Sequence, residues 1–243
     1  MATYTQIFVL GKPCFFKPED RLEVEVNYPF VALLSEKDKK TFYRRLCTLM
    51  RSVQLHEKGV ELSKNDRMLI AAPAVILTFG FERFHWGNFR HVFVYPIAYR
   101  NSRTGQYHHG ETSPNGAVVV NWKRVKEGID DPDDAIHLLF HEYAHALILS
   151  RASRLKRRDR RFVKAASSFT KQYFNREDIR TSSLIREYGF TNEMEFFAVV
   201  VEVFMERADD LKREHSFLYR DLIQLLKLER WESIILRQAT WFR

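Results

Sequence analysis

The chain has 243 residues, 45% of them hydrophobic, and carries a formal net charge of +8. That length suits one large domain or two small ones around a sizeable core. No run of eighteen apolar residues occurs, so no membrane-spanning helix and no membrane partner are predicted.

The opening stretch MATYTQIFVLGKPCFFKPED has neither a basic start nor a small-residue cleavage site, so no signal peptide is predicted. Cys14 and Cys47 stand far apart and outside any paired ligand spacing. They are expected to be two free thiols in a reducing, cytoplasmic compartment.

In chain order, the first thirty-odd residues look irregular or strand-like, with one strand expected in RLEVEVNYPFVALL. A helix is predicted to start at Ser35, capped by its hydroxyl, with Phe42, Leu46, Leu49, Met50 and Val53 on one face. A second helix covers about 65–77 and includes Pro73. RHVFVYPIAY and GAVVVNW read as strands, and Pro96 places the first at a sheet edge or bulge. The segment between them, RNSRTGQYHHGETSPNG, reads as a turn-rich loop. The next helix is expected to open at DDPDD, with Asp131 as cap and Pro132 in its first turn, and to run to about Ser150. Further helices are predicted near 161–174, 192–207 and 216–228. The pattern is an α+β, mostly helical chain with a small sheet packed on the helix that follows DDPDD. The first sixty residues are expected to form an N-terminal segment packed on a domain over 61–243. SRLKRRDRRFVK, 153–164, holds much of the positive charge. With no nucleic-acid motif beside it, it reads as a solvated helix face or connector, and no specific nucleic-acid partner is predicted.

The stretch HLLFHEYAHALIL, 137–149, carries the chemistry. In a helix, residues four apart share a face, so His141 and His145 can turn imidazole nitrogens to one point. Zinc accepts such nitrogens at about 2.0–2.1 Å. Glu142 lies about 100° around the helix, close to the ion without binding it, where it can exchange a proton with an attacking water and a leaving amine. His137 is about 12 Å of helical rise from His145, too far to share the ion, and reads as packing or partly exposed, or as a support behind a ligand.

A catalytic zinc site needs a third protein ligand. Ile148 and Arg151 stand where a metzincin would need glycine and histidine, and His215 has no motif around it. That leaves a carboxylate. In the apolar helix NEMEFFAVVVEVFMER, Glu195 and Glu202 lie seven apart on one face, and either can serve. Glu195 has a competing role as partner to an Asn192 cap.

HEYAHAL, EYGFTNEMEFFAVVVEVFME and SFLYRDL, with the approach GAVVVNWKRVKEGIDDPDDAIHLLFHE, resemble the Mlc titration factor A family of zinc-dependent peptidases over roughly 65–228. The Tyr-x6-Glu element is also similar to that of the catalytic domain of lethal-factor-type toxins. The resemblance implies a zincin-like, gluzincin-type domain. It implies one zinc ion on His141, His145 and Glu195, with Glu142 as general base and acid. Tyr188 would then donate to the oxyanion, and Glu202 would hold the far nitrogen of a ligand histidine. The expected substrate is a peptide or protein. The family's name also implies a transcription-regulator partner, and a regulatory binding role is the alternative to catalysis. Ile148 and the basic 153–164 stretch depart from the family pattern.

Overall fold

A computed structural model describes residues 5–9, 12–82, 84, 86–100, 105, 107–152 and 156–238. It opens with a hairpin, β1 (Thr5–Val9) and β2 (Lys12–Phe16). Two helices then follow where a strand is expected, α1 (Pro18–Asn27) and α2 (Pro29–Ala32). The alternation in LEVEV mimics a strand, but the buried residues are Asp20, Val24 and Tyr28, which recur at the helical spacing of four. Leu22 and Val26 are exposed. The Asp20 carboxylate accepts the Lys17 backbone N–H at 2.8 Å and starts the helix.

Helix α3 (Glu36–Ser52) begins at the expected cap, where the Asp38 N–H donates to Ser35 Oγ. Strand β3 (Gln54–Glu57) leads to α4 (Lys64–Leu77), which Ser63 and Asp66 cap reciprocally. Next come β4 (His91–Tyr95), the short pair β5 (Tyr99–Arg100) and β6 (Tyr107–His108), then β7 (Gly110–Ser113) and β8 (Ala117–Asn121). The main sheet has the order β3-β4-β8-β7, with β7 alone antiparallel. β4 is therefore interior, not an edge, because Pro96 falls just beyond its last residue and removes no ladder hydrogen bond. β8 is interior as well. The segment expected to be a loop supplies the edge strand β7. β3 comes from the first sixty residues and pairs within the same sheet as β4.

Helix α5 (Trp122–Asp130) precedes α6 (Leu138–Ala152). α6 starts later than the DDPDD signal suggests. Asp131 ends α5 as its C-cap, Pro132 lies in a turn, and the chain enters α6 through Ala135 in the left-handed region at φ 60°. The remaining helices are α7 (Arg157–Tyr173), α8 (Glu177–Arg180), α9 (Glu193–Glu206), α10 (Ala208–Glu214), α11 (Ser216–Leu226) and α12 (Glu232–Gln238).

α6 and α9 are apolar around most of their circumference and both are buried. α6 packs on α9 and α7, and also on α4, β7 and β8. The Tyr143 hydroxyl donates to the Ile70 carbonyl at 2.9 Å and ties it to α4. Cys14 and Cys47 form a disulfide that joins β2 to α3, with Cα atoms 6.2 Å apart. This corrects the expected pair of free thiols, because the hairpin folds back on α3. It also removes the argument from free thiols for a reducing compartment. No described helix is long and apolar enough to cross a membrane.

Candidate metal centre

Two helices bring the expected donors together. α6 presents His141 and His145 one turn apart, with their rings edge to face. The Nε2 atoms are 3.1 Å apart. Glu195 arrives from the first turn of α9, its Oε2 2.9 Å from His141 Nε2 and 3.4 Å from His145 Nε2. Asn192 caps α9 by accepting the backbone N–H groups of Met194 and Glu195. The cap therefore uses the Glu195 backbone and leaves its carboxylate for the histidines.

These three atoms form the one cluster of histidine, cysteine or carboxylate groups among the described residues that could hold a metal ion. Ligands about 2.0–2.1 Å from a tetrahedral centre lie roughly 3.3 Å from each other, which the observed separations approach. The donor types fit as well. Facing lone pairs on two imidazoles and a carboxylate repel unless a cation or proton lies between them. Without a metal, that cation is a proton. Burial pulls the His141 imidazole down, but its contacts to Glu195 and Glu202 prevail and raise it to about 10. Burial works to raise Glu195, yet the two imidazoles hold it well below the usual carboxylate range.

Glu202, seven residues along α9, lies behind His141. Its Oε2 is 2.9 Å from His141 Nδ1. Its Oε1 accepts the His137 backbone N–H at 2.9 Å. Arg186 also donates to Oε2. An ionised carboxylate only accepts, so Nδ1 carries a hydrogen, and Nε2 is the nitrogen that faces the cluster, free to offer its lone pair when a cation replaces the proton there. The His137 ring takes no part. It is buried against Phe140, and burial drives it down to about 3 and keeps it neutral. It is not partly exposed. His215 lies far along the chain, between α10 and α11.

Glu142 is buried beside the cluster, and burial raises its carboxyl above the ordinary value. The Thr112 hydroxyl on β7 lies 2.7 Å from Oε2 and 3.0 Å from the Glu142 carbonyl. Gly110, on the same strand, makes the room: a Cβ there would lie 2.3 Å from Glu142 Oε1. Tyr188 sits in a short 3-10 turn, half exposed, with its ring centroid 6.0 Å from that of His141. Partial burial and the neighbouring Glu195 carboxylate push its phenol up to about 12, so it remains a donor at neutral pH. The cluster opens on a cleft of about 400 Å³ whose lining includes Tyr107, Ile136, Leu138, Arg186 and Tyr188.

Sequence reasoning misses Thr112, Gly110 and Arg186. The first two lie in a strand too short to show a pattern. Arg186 had one available signal, its place two residues before Tyr188.

Residues 8–227 match the family described as glucose-regulated metallo-peptidase M90. The chain belongs to that family. The match takes in most of the first sixty residues, so the likeness reaches further toward the N-terminus than the 65–228 span of the motifs. The chain is also similar to the uncharacterized protein slr2042 of Synechocystis sp. (strain ATCC 27184 / PCC 6803 / Kazusa). The two are 25% identical over 228 residues, covering 83% of this chain and 80% of the relative. Membership of a metallopeptidase family implies a metal ion and a peptide or protein substrate.

Proposed function

We propose that this M90-family chain is a zinc-dependent peptidase whose ion is held by His141, His145 and Glu195. One observation carries the reading: three donor atoms from two helices lie within 3.4 Å of one another, with a buried carboxylate beside them. Two imidazoles and one carboxylate suit zinc among the common divalent ions. When bound there, zinc would polarise the scissile carbonyl and bring the pKa of a water toward about 7.

The protein's own groups do the rest. Glu142 takes the proton of the attacking water and passes it to the leaving amine. Its burial favours this, because a carboxylate with raised proton affinity is a better base near neutral pH. Thr112 donates to one Glu142 oxygen and leaves the other for the water. The Tyr188 phenol donates to the oxyanion as it forms. Glu202 keeps His141 in the tautomer that presents Nε2. β7 is one of the two edges of the sheet and its Thr112 touches Glu142, so a peptide laid along β7 would carry its backbone past the base.

The test is metal analysis of the purified protein, paired with peptide hydrolysis before and after chelation. One zinc ion per chain, and activity that chelation removes and zinc restores, is the expected result. Undiminished hydrolysis by fully stripped protein would overturn the reading.

A further inference from the structure

The positive charge of this chain is concentrated in one place. Lys156, Arg157, Arg158, Arg160, Arg161 and Lys164 are all exposed at the start of α7. They are six of the chain's 39 lysines and arginines, and without their charges the formal net charge would fall from +8 to +2. Asp159, the acid among them, faces inward and pairs with the buried Arg151 at 3.0 Å. Among the described residues, none of the six side chains makes an ion pair, hydrogen bond or ring contact.

The fold gains nothing from this arrangement. The cations lie at the positive end of the helix dipole, where basic side chains are unfavourable. Arg157 with Arg161, and Arg160 with Lys164, are like-charged pairs at the repulsive spacing of four. Phe162, Ala166, Phe169 and Tyr173 already bury the other face of α7, so the basic face is not required for packing.

We infer that this face docks on the phosphate backbone of double-helical nucleic acid, without reading its sequence. Four of the six cations are arginines, whose forked donors match phosphate oxygens. No exposed large apolar side chain occurs on α7, so the face offers nothing to insert into a lipid surface. It also offers no exposed aromatic ring on which a single strand could stack its bases. What remains is a run of cations suited to a regular array of phosphates. The face belongs to a different helix from the one that carries the HEYAH histidines, so docking and peptide hydrolysis are separable.

The experiment measures binding of the full-length protein to a labelled random-sequence duplex by fluorescence anisotropy across a salt series. Wild type should show a log K against log salt slope of about −4, the value for four to five phosphates neutralised. The variant R157Q/R158Q/R160Q/R161Q should bind at least tenfold more weakly, with a slope of about −1. A control with the same charge loss at exposed sites elsewhere, K37Q/K40Q/R44Q/K58Q, should bind within about twofold of wild type. Relief of like-charge repulsion should leave the arginine variant at least as heat-stable as wild type, which separates loss of binding from loss of fold. Equal losses in both variants would mean that net charge alone is at work and would overturn the inference. So would tighter binding to a polyglutamate peptide, or to phosphatidylserine vesicles, than to the duplex.

Discussion

His141 and Glu202 meet at 2.9 Å, imidazole Nδ1 to carboxylate Oε2, and this contact decides which nitrogen faces Glu195. Glu202→Gln keeps the volume but weakens the acceptor, and its amide can no longer bind Arg186 as an ion pair. Metal affinity, read by competition with a chelating dye, should fall about 10- to 100-fold. Unchanged affinity would remove Glu202 from the description of the centre.

Glu142→Gln separates binding from chemistry. Zinc content should stay at the wild-type level while kcat for peptide hydrolysis falls by about 10²–10⁴-fold. Near-normal turnover in this variant would sink the assignment of the base. His145→Ala should instead lose the ion itself, visible by elemental analysis.

Tyr188→Phe removes one hydroxyl from a half-exposed side chain, so the fold should be untouched. Loss of one oxyanion donor should lower kcat about 100-fold with little change in KM. A change confined to KM would point to substrate binding instead.

Gly110→Ala tests the packing around the base. The added Cβ would meet Glu142 Oε1 at 2.3 Å and Leu138 Cδ1 at 2.7 Å, so the carboxylate must move. Turnover should drop at least tenfold while the metal stays bound, since the atoms nearest the added Cβ belong to Glu142 and Leu138 and not to His141, His145 or Glu195. Kinetics identical to wild type would show that Glu142 tolerates the shift.

Glu206 gives a pH signature away from the donors. It is buried at the end of α9, and burial, with the nearby Asp134 and Glu202 carboxylates adding to it, pushes its carboxyl up to about 9. In the unfolded chain the same group titrates at its ordinary value of 4.5. Between these values the folded state holds a proton that the unfolded state has released, so stability falls as pH rises through that window. Glu206→Gln should remove this contribution, raising Tm by about 2–4 °C or more at pH 8 and leaving it nearly unchanged at pH 4.5. Parallel melting profiles of variant and wild type across the range would rule the effect out.

The centre was legible where chemistry and periodicity coincide. HEYAH sets two histidines on one helix face, and the isolated carboxylates of an apolar helix mark Glu195 and Glu202 as residues that need partners. Their order was not legible from spacing, since either could approach the histidines. The resolving feature is the Asn192 cap, which starts α9 where Glu195, rather than Glu202, reaches Nε2. The sheet was less readable. β7 has four residues with no buried alternation and lies in a segment dominated by turn formers. α1 was hidden by LEVEV, a strand pattern overridden by the i, i+4 burial of Asp20, Val24 and Tyr28. Disulfide pairing depends on how a distant hairpin folds back, and two isolated cysteines carry no trace of that.

Glu195 and Glu202 are seven residues apart on α9, a span of about 10.5 Å, and they reach the two nitrogens of a single imidazole on α6. The two helices therefore grip that ring like the jaws of a caliper. A slip of α6 past α9 by one residue, about 1.5 Å, would detach one jaw or the other. Inter-helix register thus belongs to the candidate metal centre, and a distant substitution that disturbs it would break the cluster while every donor remains in the sequence.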